Sequence, residues 1–313
     1  MIIAVIDIGT NTTRLLVKNS ETNEELAREV SITKLGEGLD KTGVLSEAAM
    51  DRTRSQVNVY VDKAKSLGVE SVQVFATAGS RASSNGADFI ASLNNIDSVD
   101  AQVIDGNAEA QFSFNGAVSG FQFDDDRKTE ALPLVVVDIG GGSTELAISS
   151  LGDPTKCESF VSIPIGSVRL TERYLHSDPP LPEELTNAIG DVRDSIADAL
   201  VENPIFTKAN SWIGVAATFT TAAAVEIGLK EFDKNKLHGF VLTKEMAEDV
   251  FRTLATEDLE NRKHNPGLEP ERAGVIVGGL CIIVALMRHF EIPQITISCT
   301  DLLDGLYLSM CSR

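Results

Sequence analysis

Val135-Val136-Val137-Asp138-Ile139-Gly140-Gly141-Gly142-Ser143-Thr144-Glu145 is the stretch on which the reading of this chain turns. Three β-branched residues run into an aspartate, the composition of a buried strand. Three successive glycines suit neither strand nor helix, so Gly140, Gly141 and Gly142 form a tight turn that exposes backbone N–H groups. Such a turn can fold into an anion-binding nest, with Asp138 at its lip to hold a divalent cation that neutralises a phosphate. An ordinary glycine hairpin has the same local composition. The other end of the chain separates the two readings. There Ile2 to Ile6 form an apolar run ending in Asp7-Ile8-Gly9-Thr10-Asn11-Thr12, followed by Arg14-Leu15-Leu16-Val17. Both segments read strand, D-I-G, small hydroxyl residues, apolar strand, which predicts two related half-domains facing each other across a cleft.

With 313 residues the chain can build two domains of ordinary size, and a hydrophobic content of 43% places it among globular proteins. A net charge of −19 argues against nucleic acid or an anionic membrane as partner, since both need a basic surface. It also repels any polyanionic substrate, so a phosphate site here requires metal ions and locally clustered arginines. Met1 leads directly into the first strand without a basic n-region or cleavage site. The longest apolar stretch, Ala273 to Met287, is too short for a comfortable membrane span and reads as a buried helix. Cys157, Cys281, Cys299 and Cys311 are scattered without C-x-x-C pairing, which fits a reducing cytoplasm and neither a disulfide framework nor a cysteine metal site.

Taken in order, Glu24 to Thr33 reads as a third strand, followed by the glycine-punctuated loop L-G-E-G-L-D-K-T-G from Leu35. Ser46 caps a long helix closed by Gly68. Ser71 to Ala76 is a strand leading into short helices over Thr77 to Asn85. A helix opened by Asp105 or Asn107 carries Glu109 in its first turn. The charged stretch Phe123 to Glu130 is the candidate linker. Leu134 to Asp138, Thr144 to Ser149 and Glu158 to Ile163 are then strands, Pro182 starts an amphipathic helix through Leu200, and Trp212 to Val215 enters a strand-to-helix elbow. Thr243 caps a helix to Leu254, Glu269 or Pro270 opens the buried helix ending near Phe290, and a strand from Gln294 to Ser298 precedes a helix from Asp301. The order β-β-β-α-β-α, twice, predicts an α/β chain of two duplicated lobes with ligands bound between them.

The segments D-I-G-T-N-T-T-R-L-L-V, L-G-E-G-L-D-K-T-G-V-L-S, A-T-A-G-S-R, the E-A of Glu109 and Ala110, D-I-G-G-G-S-T-E, I-P-I-G-S-V-R-L-T-E-R-Y-L-H-S-D-P-P and L-H-G-F-V-L-T span nearly the whole chain. In these the chain resembles the exopolyphosphatase and guanosine pentaphosphate phosphohydrolase family, within the actin and sugar-kinase superfamily, in its short two-domain form. The resemblance implies two actin-like, ribonuclease H-like lobes, residues 1–122 and 123–313, with a C-terminal helix of about 301–313 able to pack back on the first. It also implies hydrolysis of a terminal phosphoanhydride, with Glu109 activating water and magnesium held near Asp138 and Glu145. Thr10, Asn11, Thr12 and Arg14 match the first phosphate loop, and Gly140, Gly141, Gly142 and Ser143 the second, while Arg81 matches an arginine expected on phosphate. Two positions depart from the family pattern. Ala216 and Ala217 stand where a glycine pair is common, and Leu303 stands where an arginine is common.

Attack of water on a phosphoryl group needs alignment and charge neutralisation more than covalent help. Without the family context, Glu109 in a first helical turn simply complements the helix dipole. Arg14 and Arg81 can bind phosphate bidentately or form interlobe salt bridges. Asp7 positions metal or water, or caps its own turn. His238 reads as an organiser of the second lobe, and Arg262-Lys263-His264 as a solvated loop or a guide for a polyphosphate tail. The expected substrate is inorganic polyphosphate, with short chains preferred, or guanosine pentaphosphate. A non-catalytic nucleotide or alarmone sensor is the reading from another class. A two-fold homodimer is the default assembly.

Overall fold

In the computed structural model, which describes residues 1–123 and 132–311, each D-I-G segment closes a hairpin at the middle of its own sheet. The first sheet is built from β1 (Ile2–Ile8), β2 (Thr12–Asn19), β3 (Glu25–Ile32), β4 (Val72–Ala76) and β5 (Val99–Val103), in the order β3-β2-β1-β4-β5. The second contains β6 (Leu134–Ile139), β7 (Thr144–Ser149), β8 (Cys157–Ile163), β9 (Ser211–Val215), β10 (Val241–Thr243) and β11 (Gln294–Ile297), in the order β10-β11-β9-β6-β7-β8. Apart from the short edge strand β10, the two orders match strand for strand. In both, the first three strands are antiparallel and the next two run parallel to the first. This is the duplicated two-lobe, actin-like architecture.

The apolar runs explain which strands are central. All six residues of β6 are buried, as are six of the seven in β1, because helices cover both faces there and no alternation is needed. β3, at an edge, buries none of its residues fully. Side-chain caps fall where hydroxyl or carboxylate residues precede helices. Ser46 Oγ accepts from Ala49 N–H at 3.2 Å, Asp105 Oδ1 from Ala108 N–H at 2.8 Å, and Thr243 Oγ1 from Met246 N–H at 3.2 Å.

Two expectations need correction or limit. The buried helix begins at Ile276, not at Glu269 or Pro270; Pro270–Arg272 forms a separate 3₁₀ turn, and every residue from Ile276 to Met287 is buried. The linker read over Phe123 to Glu130 lies, from residue 124 on, outside the described residues. Among the described residues no helix is long and apolar enough to cross a membrane.

The last helix of each lobe crosses to the other. Helix Gly106–Ser119, which follows β5, packs Ala110, Phe114 and Ala117 on Leu134, Val136, Ala147 and Ile213 of the second sheet. Helix Leu302–Cys311, which follows β11, packs Leu302, Leu303, Leu306 and Tyr307 on Ile3, Val5, Leu16 and Phe75 of the first. The two helices meet backbone to backbone. A Cβ on Gly116 would lie 1.8 Å from Asp301 O, and one on Gly305 would lie 1.8 Å from Phe112 O. Neither contact can yield by moving a side chain, so Gly305→Ala forces the helices apart. It is expected to cost about 3 kcal/mol or more, read as a lower urea midpoint; a loss below about 1 kcal/mol would show that the crossing is loose.

Candidate active site

The two hairpins superpose in their turn chemistry. Gly9 N–H donates to Thr12 O at 2.8 Å, and Gly140 N–H donates to Ser143 O at 3.0 Å. In the first hairpin Asp7 stands opposite Arg14 across the strands; in the second Asp138 stands opposite Glu145. The loops are brought together around Thr10. A Cβ on Gly36 would come 2.3 Å from Thr10 Cγ2, one on Gly142 2.6 Å from Thr10 Oγ1, and one on Gly141 3.0 Å from Thr10 Cβ. Only glycine backbone fits around that side chain.

The cleft opens between these loops as a cavity of about 690 Å³. Asp7, Thr10, Asn11, Thr12, Glu109 and Asp138 line it, together with Gly140 to Ser143 and Arg14. One arm reaches into the second lobe, lined by Leu229, Phe232, Leu268, Pro270 and Val275. Asp7 Oδ1 and Thr10 Oγ1 are buried and have no hydrogen-bond partner. Unpaired buried oxygens beside a cavity are groups that await a ligand.

Glu109 sits in the first turn of the crossing helix, 6% exposed. Arg81 Nη1 donates to Glu109 Oε2 at 2.9 Å and to Ile104 O at 2.9 Å. One turn further along the same helix, Ser113 Oγ donates to Asp138 Oδ2 at 2.5 Å. Ser162 Oγ, on β8, donates to Glu145 Oε1 at 2.7 Å. Arg14 Nε donates to Asp7 Oδ2 at 2.8 Å, and its Nη1 binds Asp301 Oδ2. The guanidinium of Arg14 is therefore committed to two carboxylates, whereas that of Arg81 faces the reacting region through Glu109. Arg28 makes a parallel contact, with Nη2 donating to Asp304 Oδ1 at 2.7 Å.

Burial sets the electrostatics. It pushes Glu109 up to about 7, against the pull of Arg81 and with a push from Asp138 and Asp7. Asp138 rises to about 6, mostly through burial, partly offset by the Ser113 hydrogen bond. Glu145 stands well above the ordinary carboxylate range, because burial and the charges of Glu109 and Asp138 all oppose its ionisation. Burial likewise raises Asp7 despite Arg14. For Asp301 burial is also the largest single influence, but Arg14 and Arg28 together outweigh it and hold the group below its usual value. The cleft thus carries more buried acid than Arg14, Arg28 and Arg81 balance.

Other flagged positions have clear places. Ala216, at the elbow after β9, lines the cavity with φ at +67°, a left-handed conformation that favours glycine. Leu303 packs in the apolar cluster on the first sheet. His238 Nδ1 accepts from Cys299 N–H at 3.1 Å, its Nε2 donates to Gly120 O at 2.9 Å, and its ring stacks on Phe121 at 4.6 Å. It ties the two crossing segments together. Arg262 neither guides a substrate nor is solvated: its guanidinium is buried and donates to the carbonyls of Leu254, Ala273 and Glu257. Sequence reasoning missed Ser113 and Asp301. Ser113 was findable, since a hydroxyl four residues after Glu109 shares its helical face; nothing local marks Asp301, whose partner Arg14 lies at the far end of the chain.

Comparison with known proteins follows this geometry. The model of the Ppx/GppA phosphatase family matches residues 15–313. Exopolyphosphatase 2 of Mycobacterium tuberculosis is 34% identical, over 98% of this chain and 98% of its own length. An exopolyphosphatase-like protein of known structure superposes with a TM-score of 0.93 at 31% identity, over 100% of this chain and 99% of the other. An exopolyphosphatase from Cytophaga hutchinsonii superposes with a TM-score of 0.85 at 26% identity, over 100% and 98%.

The raised carboxylates carry a stability consequence. A folded-state pKa above the unfolded value means that the native protein holds protons the unfolded chain has released. Stability therefore falls as pH rises from the unfolded value, near 4.5, to the folded one, about 7 for Glu109. Glu145→Gln removes one of these charges while keeping an acceptor for Ser162. At pH 8 it is expected to raise the melting temperature by about 2–4 °C, with the gain vanishing near pH 4. A lower melting temperature at pH 8 would mean that the charge is matched in the native protein.

Proposed function

The chain belongs to the Ppx/GppA phosphatase family, and from that premise we propose that it hydrolyses the terminal phosphoanhydride of inorganic polyphosphate and releases orthophosphate. The observation that carries this reading is Glu109. It is a buried carboxylate on the wall of a cavity shared by two glycine-rich hairpins, paired with one arginine and raised to about 7. That is the range in which a general base works near neutral pH.

The terminal phosphate binds against the backbone N–H groups and hydroxyls of Thr10, Asn11, Thr12 and of Gly140, Gly141, Gly142 and Ser143, with Arg81 as its charged partner. Glu109 orients a water and accepts its proton. The water oxygen forms a bond to the terminal phosphorus as the bridging P–O bond breaks, and the shortened chain leaves as a phosphate anion. Arg14 keeps Asp7 in place by ion pairing and does not itself contact phosphate.

The residues present fit a divalent cation, as the excess of buried acid and the unpartnered Asp7 Oδ1 indicate. Asp138 and Glu145, with Asp7 beside them, would hold magnesium. The described residues include no group of three or more His, Cys, Asp or Glu spaced to hold an ion alone. Water and phosphate oxygens would complete its shell, as is usual for magnesium on phosphate substrates. When bound, it supplies charge neutralisation for the phosphates.

A second reading, removal of the terminal 5′-phosphate from guanosine pentaphosphate, is favoured by one feature. The arm carries apolar Leu229, Phe232, Leu268, Pro270 and Val275 beside Lys230 and Arg272, a lining that suits a planar ring bearing phosphates.

Orthophosphate release from tripolyphosphate, long polyphosphate and guanosine pentaphosphate, each with magnesium, ranks these readings; release from the nucleotide alone would replace the first by the second. Glu109→Gln should lower kcat by about 10²–10⁴ with KM little changed. Native kcat/KM should fall about tenfold per pH unit below about 7, since only ionised Glu109 accepts the proton. Unaltered turnover by the variant would remove Glu109 as the base, whereas inactivity of both proteins on every substrate would favour a binding role for the protein.

A further inference from the structure

Helix Ser167–Tyr174 starts directly on the second glycine loop. Ser167 N–H donates to Gly140 O at 2.9 Å, and the N–H groups of Val168 and Arg169 donate to Gly141 O at 2.9 and 3.1 Å. Arg169 is thus rooted behind the loop proposed to hold the terminal phosphate. Arg173 follows one turn later on the same helical face. Across the cleft, the first lobe offers the short helix Leu39–Thr42, flanked by Gly38 and Gly43.

Asp40 of that helix reaches both arginines. Its Oδ1 lies 3.2 Å from Arg169 Nε, and Arg173 grips it as a fork, Nη2 to Oδ1 at 3.0 Å and Nε to Oδ2 at 3.2 Å. Asp191 steadies the far side of Arg173 at 3.1 Å, and Pro164 O accepts from Arg169 Nη1 at 2.8 Å. The other tie from this loop is Gly38 N–H to Glu172 Oε1 at 2.8 Å, while Glu172 Oε2 is buried and unpartnered. None of Asp40, Arg81, Arg169 or Arg173 lines the main cavity. The contact closes the cleft on the side of Arg81.

A carboxylate held in a planar two-point fork is the geometry in which arginine binds phosphate. Arg173 is shared between Asp40 and Asp191, and Asp40 is also the carboxylate beside Arg169. Burial first, and then the charges of Arg173 and Arg81, disfavour the charged form of Arg169, and Asp40 offsets them only in part. In a chain of net charge −19 this arginine row is a place beside the site where a polyanion meets attraction.

We propose that Arg169 and Arg173 form a subsite for the second and later phosphates of an extended phosphate chain, and that Asp40 occupies this subsite until substrate displaces it. The proposal rests on the polyphosphate reading above. It places the chain on the arginine side of the cleft, running from Arg81 past Arg169 to Arg173, and makes the interlobe contact a competitor of substrate.

Competition and simple clasping differ in sign. Binding of tripolyphosphate and of pyrophosphate, with magnesium, is measured by calorimetry on the full chain and on Asp40→Asn, Arg173→Gln, Arg169→Gln and the Asp40→Asn/Arg173→Gln pair. Competition predicts that Asp40→Asn binds tripolyphosphate about tenfold more tightly, that either arginine variant binds it about tenfold more weakly, and that pyrophosphate shifts less. The double variant should bind more tightly than Arg173→Gln, because Arg169 is freed, and more weakly than Asp40→Asn. If Asp40→Asn weakens binding or leaves it unchanged, Asp40 is only a clasp and the proposal falls. The two readings fail separately. These shifts without orthophosphate release by the native chain would sink the polyphosphatase reading and keep the subsite. Release without the opposed shifts would keep the polyphosphatase reading and sink the subsite.

Discussion

Four glycine backbones crowd the side chain of Thr10, and the rest of the site depends on that approach. Gly36, Gly79, Gly141 and Gly142 come from three different loops of the first lobe and second lobe, and each would place a Cβ within 3.3 Å of Thr10 atoms. Packing this close lets the backbone N–H groups of both hairpins face one cavity. It also explains why the second hairpin has three consecutive glycines, whereas the first has only Gly9. The second loop is the one that advances on Thr10, while the first carries Thr10 itself.

Duplication supplied two similar hairpins, and one pair of positions makes them functionally unlike. Arg14 and Glu145 occupy the same place across the strands from Asp7 and Asp138. In the first lobe the cross-strand pair is an ion pair, extended by Asp301; in the second it is two acids with no ion pair of their own, although Arg14 attracts Asp138 from across the cleft. Two buried carboxylates destabilise the fold by themselves. The first lobe meets the same cost with Arg14, so the difference at this one position sets the electrostatics of the two hairpins apart.

The alternation of strands and helices, the three caps at Ser46, Asp105 and Thr243, and the pairing of the hairpins were legible because each depends on residues close in sequence. The start of the buried helix was misread because Pro270 is equally at home in the first turn of an α-helix and in the 3₁₀ turn it forms here. Arg262 looked like a surface charge in a basic run, but three carbonyls left at the ends of neighbouring segments make a buried place for it. The partners of Arg14, Arg28 and Arg173 were invisible for the same reason. Asp301, Asp304 and Asp40 lie 287, 276 and 133 positions away, and no periodicity encodes such distances.

The exchange of terminal helices connects these points to the chemistry. Glu109 belongs by sequence to the lobe of Arg81 but by packing to the sheet of Asp138 and Glu145. The Arg81–Glu109 pair is therefore a contact between the two packed bodies, as are Asp40 with Arg169 and Gly38 with Glu172. Any rotation of one lobe on the other changes the distance between the base and its arginine without disturbing the base relative to Asp138, to which Ser113 of the same helix ties it. The close crossing at Gly116 and Gly305 and the bridge made by His238 hold the two crossing segments together. Glu109 and Asp138 are thus fixed to one body, while Arg81 reaches Glu109 from the other.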